Sequence, residues 1–370
     1  MVMKDFETSG SHEPTIAIHT LPNSSDQMIS RFLDGGKLVD HLNERGYTVS
    51  LTNRDVFDAT SAAHRVISSK DNYTLEPTAT DISSIDAMYS RLAGPVRRPG
   101  IELIPKLNSN ELKTLAGSKI ELYRQVLSEY QVPTEFVSMQ AEDFNETADL
   151  IHAVATDTVV IKGNGGFGGA STNVLEKKDA IAWVAQQIEA GNEKPQILQP
   201  KIEFGRLPDG IRGVGEDQAL LVERARKENL LTELRFYALK KNDTIDTVPV
   251  LRVVPTTGLP MQGSNDVYVE IDLSDDLREA LDEITRAIVR KATAAANGDN
   301  HAIGAVDYYF DAHALPHVME ANFRTPGLPA SNLLPRAGRL AHTLLADVLV
   351  SMAQNESVAD KSNKERGDHE

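Results

Sequence analysis

Two stretches of this chain carry residues whose types and spacing could do chemistry. The first runs Thr158-Val-Val-Ile-Lys-Gly-Asn-Gly-Gly-Phe-Gly-Gly-Ala-Ser-Thr172. Glycines at 163, 165, 166, 168 and 169 give a loop whose backbone N–H groups can lie close against a polyanion, because no Cβ stands in the way. Lys162 adds a point charge suited to phosphate. The second is Gly304-Ala-Val-Asp-Tyr-Tyr-Phe310 followed by His317-Val-Met-Glu-Ala-Asn-Phe-Arg-Thr-Pro-Gly327. Glu320 and Asn322 are two apart, so on a strand they share one face, and Asp307 on a neighbouring strand can join them. Two carboxylates and an amide oxygen are hard ligands that suit Mg²⁺ held between protein and phosphate. The bland alternative leaves Asp307 solvated and pairs Glu320 with Arg324. Arg235, Arg252 and Arg324 are further candidates, since a planar guanidinium suits phosphate or carboxylate recognition.

Other glycine-loop chemistries fit less well. Gly163, Gly165 and Gly168 match G-x-G-x-x-G, but that dinucleotide fingerprint should open a helix, and here a second extended segment follows. The Gly-Lys-Ser/Thr ending of a Walker A loop is missing, as are the His-Arg-Asp and Asp-Phe-Gly triplets of protein kinases. A plain glycine-rich hairpin remains the non-functional reading.

The positioning elements are read from periodicity. Thr158–Ile161 is a β-branched run expected as a buried strand, with 170–175 returning antiparallel to it. Upstream, Thr15–His19 and Tyr47–Leu51 are strands, and Asp26–Arg45 carries apolar residues at helical spacing with Gly46 at its C-terminal end. Strand, helix, strand reads as a βαβ unit, with His19 at the strand end where such folds face ligands. The order of elements over 71–105 is not legible. Ser118 is expected to cap a helix over 119–130, Phe144–Ala155 to be helical, and Asp179 to cap a helix ended by Gly191. Gln196–Ile202, Leu230–Lys240, Asp246–Val254, Ala302–Phe310 and His317–Asn322 are expected strands. Phe204–Glu216 and 256–266 read as loops, the second mobile. Ser274 starts a long helix closed by Asn297-Gly298, and Leu340–Met352 is an apolar helix. The expected domains are a disordered lead over 1–13, an α/β domain over 14–105, subdomains over 106–198 and 199–354, and a disordered tail over 355–370.

Composition limits the function classes. A chain of 370 residues with 41% hydrophobic content supports two or three domain-sized cores. Cysteine is absent, which excludes disulfides, thiolate metal sites and a cysteine nucleophile. The formal net charge of −16 argues against nucleic acid as main partner, so phosphate must be met by a locally basic site. No apolar run is long enough for a membrane span, and the expectation is a soluble cytoplasmic protein.

From Lys119 to Gly327 the chain resembles the ATP-grasp superfamily. The resemblance implies an α/β protein of that fold, preceded by a small Rossmann-like domain. It implies that Lys119 and Lys162 contact phosphate, with Gly165, Gly166, Phe167, Gly168 and Gly169 as a lid. Gln199-Pro-Lys-Ile202 resembles the hinge that bonds adenine. Pro200 stands where the family carries an acidic residue, and Glu203 is the candidate to replace it. Glu233-Leu-Arg235 is similar to the strand bearing a phosphate-facing arginine. Arg235, Arg252 and Arg324 take the catalytic roles by the same likeness, and Asp307, Glu320 and Asn322 the metal. The activity implied is an ATP-dependent ligase joining a carboxylate to an amine through an acyl phosphate. Its cofactors are ATP and Mg²⁺ or Mn²⁺, and its partners are small acids and amines, amino acid or peptide, with room for a homo-oligomer. A small-molecule kinase and a non-catalytic nucleotide-binding module are the rival classes. The branch resembled is that of glutathione synthetases and ribosomal-protein glutamate ligases. The Asn-x-Arg element is shared with carboxylase-like members, so the substrate stays open.

Overall fold

The computed structural model describes residues 14–19, 37–52, 62–69, 72–79, 84–90, 104–165, 172–254, 267–324, 326–329 and 333–367. The expected lead over 1–13, the glycine tip over 166–171 and the whole 256–266 loop lie outside these. The chain divides into two compact units. One comprises Met1–Leu92, Val96–Leu107 and Leu345–Glu370, the other Ala93–Pro95 and Asn108–Leu344.

The first unit is built on a six-stranded sheet. Its strands are β1 (Thr15–His19), β2 (Thr48–Thr52), β3 (Ala62–Ser69), β4 (Asn72–Ala79), β5 (Ile85–Ser90) and β6 (Lys106–Leu107), in the order β4-β3-β2-β1-β5-β6. β2, β1, β5 and β6 are parallel. β1 sits between two parallel neighbours, and Ile16, Ala17 and Ile18 are all buried, as a strand covered on both faces requires. The crossover helix α1 (Leu38–Glu44) buries Leu38, Val39 and Leu42. Gly46 follows at φ 83°, the left-handed position foreseen for it. The expected helix began at Asp26, but its first half lies outside the described residues. The illegible stretch over 71–105 holds β4 and β5, and β4 pairs antiparallel with β3 just upstream in one hairpin. His64, Arg65 and Glu76 interrupt its apolar pattern, which hides both strands.

The second unit carries two sheets. The smaller holds β7 (Glu135–Val137), β8 (Thr158–Gly163), β9 (Thr172–Glu176) and β10 (Gln196–Pro200), in the order β7-β10-β8-β9 and wholly antiparallel. Val159 and Ile161 alternate inward and pack with Leu198 on helices α4 (Phe144–Ala153) and α5 (Lys177–Glu189). Asp179 is not the cap of α5. That helix starts at Lys177 behind Glu176, which leaves Asp179 in its first turn, where a carboxylate still favours the N-terminus.

The larger sheet holds β11 (Ile211–Gly213), β12 (Leu231–Lys241), β13 (Thr244–Val254), β14 (Val267–Leu273), β15 (His301–Phe310) and β16 (Pro316–Asn322), in the order β11-β14-β13-β12-β15-β16. One face packs into a large core that includes Leu281, Ile288, Val289 and Ala292, from the long helix at Asp275–Ala295. On the other face, Tyr237, Val248, Val250 and Ala305 pack against Leu334, Ala337 and Ala341. The last helix runs from Pro335 to Gly367, so the charged segment expected as a disordered tail continues the helix. Its Ala, Lys and Glu residues are good helix formers without an apolar face, so polarity alone misled the expectation.

Candidate functional site

The site lies on two sheets of the second unit. Alternation along β12 places Glu233, Arg235 and Tyr237 on one face. The register sets Arg252 opposite Glu233, Asp307 opposite Arg235, and Glu320 opposite Asp307. Asn322 pairs with Ala305, two residues from Asp307, and so faces the same way. The end of β16 is fixed from beneath. The Asn108 side chain donates to the Ile303 and Phe323 carbonyls at 2.7 and 2.5 Å and accepts from the Ile303 N–H at 2.7 Å. Gly304 leaves room for the buried Phe323 ring, which a Cβ would approach to 2.5 Å.

The described residues place cations directly on the carboxylates. Arg235 grips Asp307 bidentately, Nε to Oδ1 at 2.6 Å and Nη2 to Oδ2 at 2.7 Å. Glu233 bridges the two arginines, receiving Arg235 Nη2 at 3.3 Å and Arg252 Nη1 at 3.1 Å. Glu320 pairs with Lys119, Nζ to Oε1 at 3.3 Å, and not with Arg324 as the bland alternative had it. Among the described residues no group of three or more His, Cys, Asp or Glu is placed to hold a metal ion.

These contacts shape the ionisation. Burial, reinforced by Asp307, pushes the Glu233 carboxyl up to about 7 against the pull of Arg235 and Arg252. Burial opposes the Arg235 charge, but the Asp307 carboxylate and its hydrogen bonds outweigh it and raise the guanidinium further. Burial holds Tyr237 up at about 12, with Arg235 pulling it down.

The two lysines come from a different part of the unit. Lys119 opens α3 (Lys119–Leu122), where the Ser118 hydroxyl accepts from the Glu121 N–H at 3.2 Å, as foreseen for this cap. The expected helix to Tyr130 continues only as a π-helical turn over Tyr123–Leu127. Asn164, the residue after β8, ties this start to the glycine stretch. Its Oδ1 accepts from Ser118 Oγ at 3.1 Å and from the Ile120 N–H at 2.9 Å, and its carbonyl accepts from the Lys119 N–H at 3.0 Å. Burial lowers the Lys162 ammonium, Glu320 raises it and Lys119 lowers it, so the three charges share one neighbourhood.

Other expected site residues are placed less directly. Gly165 is exposed, and Gly166, Phe167, Gly168 and Gly169 lie outside the described residues. Gln199 is buried, and its amide donates to Thr134 Oγ1 at 2.8 Å. Pro200 ends β10, Ile202 is half-buried and Glu203 exposed. Among the described residues, none of these four is hydrogen-bonded or ion-paired to the carboxylate cluster. Arg324 lies past the end of β16, so strand alternation does not orient it. Its backbone N–H donates to Asn322 Oδ1 at 3.0 Å. Glu233, which sequence reading named only within the Glu233-Leu-Arg235 strand, and Tyr237 and Asn164, to which it gave no role, are site neighbours. Alternation from Arg235 would have flagged the first two.

No protein-family model matches the chain, and no curated protein does so. Solved structures do. A D-alanine–D-alanine ligase from Bacillus anthracis is 14% identical, with a TM-score of 0.56 over 94% of this chain and 99% of that one. VanG, a D-Ala:D-Ser ligase from Enterococcus faecalis, is 12% identical, with a TM-score of 0.59 over 92% and 99%. The ATP-grasp ligase PsnB, solved with a minimal precursor, is 14% identical, with a TM-score of 0.55 over 92% and 99%. The chain therefore has the fold of ATP-grasp ligases, over nearly its whole length and theirs.

Proposed function

We propose that this protein is an ATP-dependent ligase that joins a carboxylate to an amine. One observation carries the reading: in a chain of net charge −16, Lys119, Lys162, Arg235 and Arg252 converge on Glu233, Asp307 and Glu320. Such a cluster suits a bound polyanion with its counter-cation. The fold shared with ligases supports the same reading.

In this reading a substrate carboxylate oxygen attacks the γ-phosphorus of ATP and ADP leaves. The amine nitrogen then attacks the acyl carbon and phosphate leaves. The chain supplies positioning and charge, not a nucleophile. Lys119 and Lys162 hold phosphate oxygens, and the glycine loop that starts at Gly163 excludes water. The oxygen donors Asp307, Glu320 and Asn322 share a sheet face and fit Mg²⁺, or Mn²⁺ in its place. The metal, when bound, neutralises phosphate charge. Gln199, Pro200, Ile202 and Glu203 form the adenine side, and 106–198 and 199–354 act as the two subdomains. Arg235 and Arg252 take the transferring phosphoryl group, and Arg324 the acyl phosphate. The test is a matrix of amino acids and small acids with ATP, read as ADP release and product mass. The reading requires ADP release that depends on both an acid and an amine. Equal release without any amine would sink it.

A further inference from the structure

The second unit contains a cavity of about 570 Å³, within the range that holds small ligands. Asn173, Trp183, Gln187, Asn192, Lys194 and Gln196 are among its lining residues. It lies behind the site described above. In the smaller sheet Gly163 pairs with Gln196, and Ile161 with Asn173 and Leu198. Alternation puts Gln196 and Asn173 on the face that packs against α5, where Trp183 and Gln187 lie. Lys162 pairs with Ile197 and Thr172 and so faces the other way.

The lining is chemically specific. Carboxamides dominate it, each with a donor and an acceptor side by side. Asn192 spends its amide on Gln187 Oε1 at 3.2 Å, and Gln196 spends its amide on the Lys194 carbonyl at 3.0 Å. Among the described residues the Trp183 and Asn173 side chains make no hydrogen bond, and the Gln187 side chain uses only its Oε1. Among the described residues Lys194 is the one charged residue of the lining, and it is exposed at the surface. The Asn173 carboxamide can meet the N–H and C=O of an amide, the indole offers an apolar face, and one ammonium takes one carboxylate.

We infer that this cavity is a second ligand site, for a short peptide or other acylated amino acid that carries an amide and a single carboxylate. No residue of the carboxylate cluster lines the cavity, which shares only Gly163, Asn164 and Gly165 with the start of the glycine loop.

Trp183 is the one tryptophan of the chain, so intrinsic fluorescence reports on the cavity. The full-length protein without nucleotide is titrated with N-acetylalanine, Ala-Ala, N-acetylalanine amide and glucose, with calorimetry run in parallel. The first two should give a saturable change in Trp183 emission. Loss of the carboxylate in the amide probe should weaken binding about tenfold, as expected for one charge-assisted contact. Lys194→Ala, an exposed change that the fold tolerates, should weaken N-acetylalanine by the same factor and leave the amide probe unaltered. Arg235→Ala should titrate like the wild type even where turnover is lost, which keeps this test separate from that of the ligase reading. The inference is overturned if neither emission nor heat saturates, if glucose binds as well as N-acetylalanine, or if Lys194→Ala changes nothing. It is equally overturned if Arg235→Ala, shown by denaturant unfolding to be folded, loses the titration, which would place the probe in the catalytic cluster.

Discussion

Asp307 and Glu320 face each other across one ladder, yet they live in different solvents. The Asp307 side chain is 4% exposed and gripped by both arms of a guanidinium, whereas Glu320 is 50% exposed and meets a single lysine ammonium. A buried ion pair is costly to break, because removing one partner strands the other charge in a poor solvent. An exposed pair contributes little to stability and exchanges readily. Asp307–Arg235 is therefore a fixed part of the sheet, and Glu320–Lys119 a contact that ligands can open. The difference teaches that two expected metal ligands need not be equally available.

The contrast can be broken experimentally. The largest effect is expected from Asp307→Ala, which strands Arg235 and should destabilise the fold by about 3–5 kcal/mol. Denaturant unfolding checks it, and a loss below ~1 kcal/mol would mean the pair is not buried in solution. Next comes the pH dependence of the Glu233 carboxyl. Its folded pKa, about 7, lies above the ordinary carboxyl value of 4.5, so the folded state keeps its proton longer than the unfolded chain. Stability should then fall as pH rises through the window from 4.5 to about 7, by up to roughly 3 kcal/mol. Glu233→Gln should flatten that slope, and an unchanged profile would place the proton elsewhere. Smallest in stability is Glu320→Gln, at about 0–1 kcal/mol. It should nevertheless abolish turnover, and melting temperature measured beside kcat separates the two outcomes. Normal kcat with saturating magnesium would remove Glu320 from the metal set.

The strands of the site were legible because their residues obey simple periods. β8 alternates inward, and the two-residue spacing of Glu320 and Asn322 fixed their common face. Register across strands was not legible, since it depends on partners far away in sequence. The bidentate Arg235–Asp307 pair spans 72 residues, and the Lys119–Glu320 pair joins a helix start to a strand on another sheet. The Ser118 cap was readable from local chemistry. The π-helical turn after it was not, because Ile120, Tyr123 and Leu127 suit either helix. β3 and β4 stayed hidden because their polar residues break the alternation.

Asn164 sits between the two lysines of the site in a literal sense. One side chain and one carbonyl fasten the helix that begins at Lys119 to the end of the strand that carries Lys162. Lys119 and Lys162 are far apart in the chain, but their separation in space is gauged by this one residue. They form a caliper with a single pivot, set to one span. Asn164 thus sets the spacing of the two backbones from which the lysines extend, and each flexible stem does the rest of the reaching.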